Sequence, residues 1–152
     1  MSAPHTQFEV VRPVDPLERP VRGLTDLAAS TDAFDGAIAR LDGPDLRVVS
    51  SLNGRFSRRT ISANHCPAIA RAIAGHDVAW LEPSAPEGLY LPLHTQVLFV
   101  PFQGADGGRC AALLAYHERV AFTPEEWRSL RSSFELPGTT PPQPSGALRL
   151  VA

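Results

Sequence analysis

The chain has 152 residues and a mass of 16.4 kDa, which suits one globular domain because domains commonly contain about 100–150 residues. Hydrophobic residues make up 43% and charged residues 20% of the sequence, so the chain can bury a core and wholesale disorder is excluded. The formal net charge is −2, and no long basic run occurs. This argues against nucleic acid as the main partner, because nucleic-acid binding depends on clustered cations that neutralise phosphates.

The apolar stretches are only a few residues long, far below the roughly 20 residues that a membrane-spanning helix needs. Residues 1–20 also lack the positive start and continuous apolar run of a secretory signal. We therefore expect a cytoplasmic protein that does not enter a membrane. Every basic residue is an arginine, which excludes mechanisms that depend on a catalytic lysine.

Proline is concentrated at both ends of the chain, where it removes backbone donors and disfavours a helix at the preceding residue. We predict an extended, Pro-rich N-terminal arm over residues 1–22 and a Pro-rich C-terminal tail over residues 137–152. Residues 23–136 form the predicted folded domain.

Within this domain, apolar residues between positions 24 and 41 recur at spacings of three and four, which predicts a helix. Residues 31–32 (Thr-Asp) offer an alternative, since they can cap a second helix after a break. Residues 43–44 (Gly-Pro) end the helical pattern. A short strand follows over residues 45–52, and the polar segment 55–64 shows no clear period.

The next helix is short. It is predicted to begin at Pro67, where the missing proline donor costs nothing, and to end at Gly75 in the left-handed conformation. Three strands are then predicted over residues 77–82, 95–102 and 109–117. A glycine-rich loop joins the last two as a hairpin.

The last helix is predicted from its N-terminal signal. Thr123 caps it, Pro124 takes the first helical position, and Glu126 stands where a capping-box acid belongs. Its buried face comprises Trp127, Leu130 and Phe134. With helices at both ends and strands between them, the pattern predicts an α+β fold. Its antiparallel sheet would have about five to six strands, with the N- and C-terminal helices on one face.

At this point the sequence resembles a known family. The passage TQVLFVPFQGADGGRCAALLAYHERVAFTPEEWRSL is similar to the C-terminal half of a GAF domain. The matching features are an apolar strand ending in a Pro-apolar pair, a glycine turn, a strand of small apolar residues, and a Phe-Thr-x-Glu-Glu helix start. They are Val100-Pro101-Phe102, Gly107-Gly108, Ala111–Tyr116, Phe122-Thr123 and Glu125-Glu126. The resemblance extends over about residues 24–134.

The resemblance implies a sheet with the end helices on one face and a small-molecule pocket on the other, closed by the middle loops and the short helix. It also implies that the end helices pair between subunits. Ligands of the family include cyclic nucleotides, linear tetrapyrroles, haem, small anions and metabolites, so the cofactor stays unknown. The Asn-Lys-x-Phe-Asp-Glu pattern of members that bind cyclic nucleotides is absent.

Several side chains are candidates for contact with such a ligand. Arginines in the 55–64 loop can clamp a carboxylate or phosphate, and aromatic rings beside the proline-rich loop can stack on a flat ligand. A thiol at a helix N-terminus is activated by the helix dipole. Each also has a plain structural explanation, as a solvated loop arginine, a core tryptophan or a packed thiol. The ligand-binding candidates are Arg55, Arg58, His65, Cys66, Trp80, Tyr90 and His94.

The favoured interpretation is a stand-alone sensory or regulatory module, rather than an enzyme, which binds a small molecule and signals through a homodimer or a partner protein. One alternative is a thiol-dependent redox enzyme, similar to the family members that reduce free methionine sulfoxide. It would act through Cys66, with Cys110 as the possible second thiol. The other alternative is an interaction module without a ligand. The two cysteines lack the paired spacing of a zinc site, so we predict no metal.

Overall fold

The computed structural model describes residues 17–56, 60–62, 67–81 and 94–135. In this part of the chain, helices at both ends and a short central helix accompany a sheet. The elements are α1 (Glu18–Thr31), β1 (Asp35–Asp42), β2 (Asp45–Ser51), β3 (Thr60–Ser62), α2 (Pro67–Gly75), β4 (Ala79–Leu81), β5 (Gln96–Gln103), β6 (Arg109–Tyr116), α3 (Pro124–Ser129) and a 3₁₀ helix (Leu130–Ser133).

The sheet has six strands in the order β3-β2-β1-β6-β5-β4, and every neighbouring pair is antiparallel. The predicted α+β fold with five to six antiparallel strands is therefore confirmed. Strands β1 and β6 lie at the centre, and the three-residue strands β3 and β4 lie at the edges. The predicted strands over residues 45–52, 77–82, 95–102 and 109–117 correspond to β2, β4, β5 and β6.

The helix predicted over residues 24–41 is wrong in its second half. Helix α1 ends at Thr31, Asp32 turns the chain with a φ of 66°, and strand β1 begins at Asp35. Ala37 and Ala39 pack on one side of the sheet and Ile38 on the other. A strand buried on both faces carries apolar residues at consecutive positions, so it lacks the alternation by which half-buried strands are recognised.

Helix α1 begins at Glu18, so residues 18–22, which we assigned to the extended arm, are helical. Pro20 is compatible with this because a proline in the first turn interrupts no backbone hydrogen bond within the helix. Residues 1–16 of the predicted arm and the whole of the predicted tail lie outside the described residues, so the domain division stays a prediction.

Two local predictions around α2 also need correction. The segment 55–64, which showed no period, contains β3, where Ile61 is buried opposite Leu46 of β2. Three residues are too few to show a period. Helix α2 begins at Pro67 as predicted, but the left-handed residue at its end is His76, with a φ of 55°, and not Gly75.

The capping box of α3 is confirmed. The backbone N–H of Glu126 donates to Thr123 Oγ1 at 3.1 Å, and the Thr123 N–H donates to Glu126 Oε1 at 2.8 Å. The α-helix ends at Ser129 and continues as the 3₁₀ helix. Leu130 and Phe134 are buried as predicted, whereas Trp127 is half-buried.

Each face of the sheet has its own apolar cluster. On one face, α1 and the C-terminal helices cover the sheet, with Leu24, Ala28, Leu130 and Phe134 buried against it. On the other face, α2 contributes Ile69 and Ala72, joined by Phe56. The end helices therefore share one face of the sheet, as predicted.

Helix α1 packs directly on the backbone of the 3₁₀ helix. A Cβ atom built on Gly23 would lie 2.1 Å from the carbonyl oxygen of Ser133, so only glycine permits this approach. The Arg19 guanidinium reinforces the contact by donating to the carbonyl oxygens of Ser132 and Glu135. The two end elements consequently form one layer.

This contact predicts the effect of Gly23→Ala. In an exposed helix position the substitution would stabilise the chain by roughly 0.4–1 kcal/mol. Here we expect a destabilisation of about 1–3 kcal/mol, because the new methyl group forces α1 away from Ser133. Urea unfolding measures the change. Asp26→Ala, at an exposed position of α1, is the control and should change the free energy of unfolding by less than about 0.5 kcal/mol. A Gly23→Ala variant as stable as the parent would contradict the close packing.

Candidate functional site

The α2 face of the sheet has a floor of small residues. Along the central strands, Ala39 of β1 lies opposite Ala111 of β6, and Ala37 and Ala115 continue the same side. We call these four residues the alanine strip. Larger residues border it, including Phe99 on β5. The strip is therefore a row of small apolar side chains along the middle of the sheet, interrupted on β6 by Leu113, which lies opposite Ala37.

The alanine strip is covered in this structure. All four residues of the alanine strip, together with Leu113 and Phe99, are 0% exposed. Helix α2 lies on this face, where it approaches the sheet at the edge strand β4 and adds Ile69 and Ala72 to the same apolar cluster. A molecule that is to bind on the strip must therefore displace side chains that cover it, and α2 is one described element that supplies them.

A buried carboxylate stands at one end of the strip. Asp35 is 0% exposed, and by the alternation of a strand it shares the face of Ala37. Its Oδ1 accepts the N–H groups of Gly36 at 2.7 Å and Asn53 at 2.8 Å, and its Oδ2 accepts the N–H of Arg55 at 2.9 Å. These bonds replace the lost hydration of the charge and fix the loop after β2.

Arg55 is a predicted site residue at the edge of the α2 face. Its backbone is held by Asp35, and its guanidinium carbon lies 5.4 Å from the centre of the Phe34 ring. Phe34 packs against the apolar cluster of the α2 face, and its other neighbour is the ring of His117 at 4.5 Å. Arg55 is exposed at this rim, where its guanidinium can receive an anionic group.

Trp80 lies on the opposite face from the one predicted for the ligand. It packs with the cluster of α1 and the C-terminal helices, where its ring meets Tyr116 edge-on at 5.4 Å and stacks with Phe122 at 6.3 Å. The guanidinium of Arg119 lies 5.8 Å from the indole ring. Its neighbours Ala79 and Leu81 face α2 instead. Trp80 therefore does not support the predicted stacking on a ligand under α2.

Of the other predicted ligand-binding residues, His94 is the one within the described ranges. It is exposed two residues before β5, with a left-handed φ of 68°. Its role as a ligand contact stays a prediction. The remaining ligand-binding candidates lie outside the described residues, and they are Arg58, His65, Cys66 and Tyr90.

The enzyme alternative involves two thiols, Cys66 and Cys110, of which the structure describes Cys110. It is 3% exposed in β6 and faces α1, and burial raises the pKa of its thiol. A thiol with a raised pKa forms little thiolate at neutral pH and is a poor nucleophile. Its position gives no support to a redox enzyme.

Two residues that sequence reasoning missed organise the surroundings of α2. Asp35 had the appearance of a helix surface residue, and no local signal links it to amides 18 and 20 residues later. His76 had the appearance of an exposed residue after a glycine. Its carbonyl oxygen accepts a hydrogen bond from Arg131, 55 residues away. The one signal in the sequence was that a histidine directly follows the glycine expected to end the helix.

The described surface also has two shallow grooves beside the end helices. One follows α1 past Arg22 and Ser30, and the other lies between Val78 and Trp127. Both open to solvent, and neither gathers buried polar groups that would orient a ligand.

Within the described ranges, no three His, Cys, Asp or Glu side chains are placed to hold a metal ion. No helix in the same part of the chain is long and apolar enough to span a bilayer.

Comparison with family models gives no match, and no curated protein matches the chain. Solved structures do match. A GAF domain/HD domain protein from Geobacter sulfurreducens aligns with 80% of this chain and 92% of its own, at 15% identity and a TM-score of 0.57. The GAF domain of an Acinetobacter phosphoenolpyruvate-protein phosphotransferase covers 88% of this chain and 89% of its own, at 11% identity and a TM-score of 0.61. The GAF domain of a two-component sensor histidine kinase from Bacillus halodurans covers 78% and 88%, at 10% identity and a TM-score of 0.54. At these identities the likeness establishes the fold.

The carboxylate of Asp35 predicts the effect of Asp35→Asn. Asparagine keeps the size but replaces one acceptor oxygen by a donor, which then faces a backbone N–H. We expect a destabilisation of about 1–3 kcal/mol and faster hydrogen exchange at residues 53–55. Urea unfolding and exchange mass spectrometry measure the two effects. Asp42→Asn, exposed at the end of β1, should leave both unchanged. Unaltered exchange in Asp35→Asn would mean that the carboxylate does not hold the loop.

The burial of Cys110 predicts slow thiol chemistry. In a Cys66→Ser variant, a disulfide reagent should modify native Cys110 more than about tenfold slower than the urea-unfolded chain, because the thiol is buried and its pKa is raised. Absorbance of the released thiolate follows the reaction. Equal rates in the native and unfolded chains would restore Cys110 as a candidate reactive thiol.

Proposed function

We propose that this chain, whose fold is that of a GAF domain, is a sensory or regulatory module that binds a small molecule between α2 and the sheet. It acts in the cytoplasm and signals through a homodimer or a partner protein. The proposal rests on the unequal covers of the two faces of the sheet.

The cover formed by the end helices is firmly attached. Gly23 brings α1 against the backbone of the 3₁₀ helix, and Arg19 donates to the carbonyl oxygens of Ser132 and Glu135. Helix α2 on the other face has nine residues, of which Ile69 and Ala72 are buried. A short helix with few buried side chains costs less free energy to displace, so α2 is the side from which a ligand would enter.

The chemistry of the floor limits the ligand. The alanine strip offers only methyl groups and backbone, so a ligand that displaces the side chains of α2 must present an apolar surface to it. Arg55 at the rim supplies a positive charge on an ordered backbone. The combination favours a small molecule with one flat or apolar part and one anionic group.

Signalling follows from a shift between two states of the module. A ligand that binds only when α2 has moved stabilises the moved state. The end helices, which lie on the opposite face and carry the exposed polar surface of α1, then present that surface to a second copy or to a partner protein. The GAF domain neighbour from a sensor histidine kinase supports a role of this kind.

A second candidate function is an interaction module without a ligand. The observation that favours it is the complete burial of the alanine strip, because a sheet face that is already covered by protein needs no ligand to be stable. The thiol enzyme is not favoured by any described residue, and its proposed nucleophile, Cys66, stays a prediction.

Matched variants on strand β6 distinguish these functions. Ala111→Val places a methyl branch in the alanine strip, whereas Ala112→Val adds the same group on the α1 face. Both residues are 0% exposed, so both variants should lose roughly 1–3 kcal/mol of stability by overpacking. Only Ala111→Val should also remove ligand binding.

The measurement is native mass spectrometry of the full chain as purified from cells, followed by chromatography of the released small molecules. For a ligand-binding module we expect added mass on the parent and on Ala112→Val, and none on Ala111→Val. Protein unfolded, stripped and refolded should show a different rate of hydrogen exchange in α2 from the protein as purified, because the ligand holds α2 in its displaced position. A parent without added mass whose exchange is the same before and after stripping would overturn the proposal in favour of the ligand-free module.

A further inference from the structure

The C-terminal end of α2 is held by side chains from two other elements. Arg131, in the 3₁₀ helix, donates to the carbonyl oxygen of His76 at 2.7 Å. Arg109, at the start of β6, donates to the carbonyl oxygen of Ile73 at 3.2 Å and lies 3.4 Å from His76 Nδ1. We call His76, Arg109 and Arg131 the α2 clasp. It connects the helix on one face of the sheet with the C-terminal helix on the other.

The backbone of His76 is set in an unusual conformation. Its φ is 55°, and its N–H donates to the carbonyl oxygen of Ala72 at 2.9 Å, which is the geometry of a left-handed helix cap. Glycine normally takes this position because other residues meet a steric penalty. Here Gly75 stands one residue too early, and the histidine is held in place by its two arginine contacts. Residues held in strained conformations by specific contacts are concentrated at functional sites and switch regions, so His76 is a candidate for a functional role.

The contact between Arg109 and His76 works with one protonation state only. A guanidinium group has donors and no acceptor, so Nδ1 of His76 must accept from Arg109 and carry no proton. The neutral ring with its proton on Nε2 satisfies this condition. When Nδ1 gains a proton from solvent, two N–H groups and two positive charges face each other, and the bond is lost.

We propose that the α2 clasp is a proton-operated connection, closed while His76 is neutral and opened when Nδ1 is protonated, so that α2 is released from the C-terminal helix. This connection goes beyond the proposed ligand binding and needs no ligand. The protonated ring also repels the guanidinium of Arg131, which lies in the 3₁₀ helix and donates to the His76 carbonyl oxygen, so the end of α2 and the 3₁₀ helix loosen together.

The charges around His76 give the direction of the effect. Burial, Arg131 and Arg109 lower the pKa of His76 below its ordinary value of 6.5, while Asp77 and Glu135 act less strongly in the opposite direction. The unfolded or opened chain therefore binds the proton more readily than the closed clasp. The clasp is fully stable above pH 6.5 and loses stability as the pH falls below that value.

The test is hydrogen exchange of the full chain between pH 7.5 and about 5, corrected for the intrinsic pH dependence of exchange. In the parent, protection of residues 74–76 and 131–135 should fall several-fold as the pH falls below the ordinary histidine pKa. His76→Asn keeps a residue that tolerates the left-handed conformation but cannot titrate in this range, so its exchange should not depend on pH. His94→Asn is the matched control, because His94 is also a histidine at positive φ, and it should behave as the parent does.

A second pair of variants covers the case in which His76→Asn fails to fold. Arg131→Met keeps the apolar stem but removes the donor, so residues 74–76 should already exchange several-fold faster at pH 7.5. Arg128→Met, exposed one turn earlier, should leave them protected. NMR titration of the His76 ring should give a pKa below 6.5 in the parent and a higher one in Arg131→Met.

Three results would overturn the proposal. They are exchange that does not depend on pH in the parent, a pH dependence that survives in His76→Asn, and a ring pKa of His76 at or above 6.5. None of these bears on ligand binding, because the mass spectrometry on Ala111→Val and Ala112→Val does not involve the clasp.

Discussion

The structure depends on two central strands that must be shielded from water on both sides. Strand β1 buries Ala37 and Ala39 on one face and Ile38 on the other, and every residue of β6 from Cys110 to Tyr116 is buried. Hydrophobic burial of this kind is the main favourable term in folding, so each face needs its own cover. The end helices form one cover and α2 the other. The contacts described at Gly23 and at His76 show how these two covers are attached.

Much of the fold could be predicted from sequence because its signals are local. The capping box at Thr123, the glycine loop between β5 and β6, and Pro67 at the start of α2 each act within a few residues. Strand β1 could not be predicted, since apolar residues on both of its faces imitate the spacing of a helix. Less of the candidate site than of the fold could be predicted from sequence. Asp35 and Arg131 find their partners only after the chain has folded, and Trp80 faces away from α2 because of a strand register that composition does not reveal.

Polar groups attach the two covers in different ways. On the side of the end helices, Arg19 adds to a direct backbone contact at Gly23, so packing and hydrogen bonding act together. At α2, the bonds made by Arg109 and Arg131 reach the last carbonyl groups of the helix, where a positive charge also meets the negative end of the helix dipole. The first attachment is insensitive to protonation. The second includes a histidine.

The brevity of the outermost strands has a consequence for association. Within the described residues, strands β3 and β4 have three residues each, so the described edges offer few backbone groups to a further strand. Long, flat sheet edges recruit other chains and begin fibrils, whereas such short edges resist it. The central strands are long but already paired on both sides. Within the described residues we therefore expect association to use side chains on the two covers more readily than the edges of the sheet.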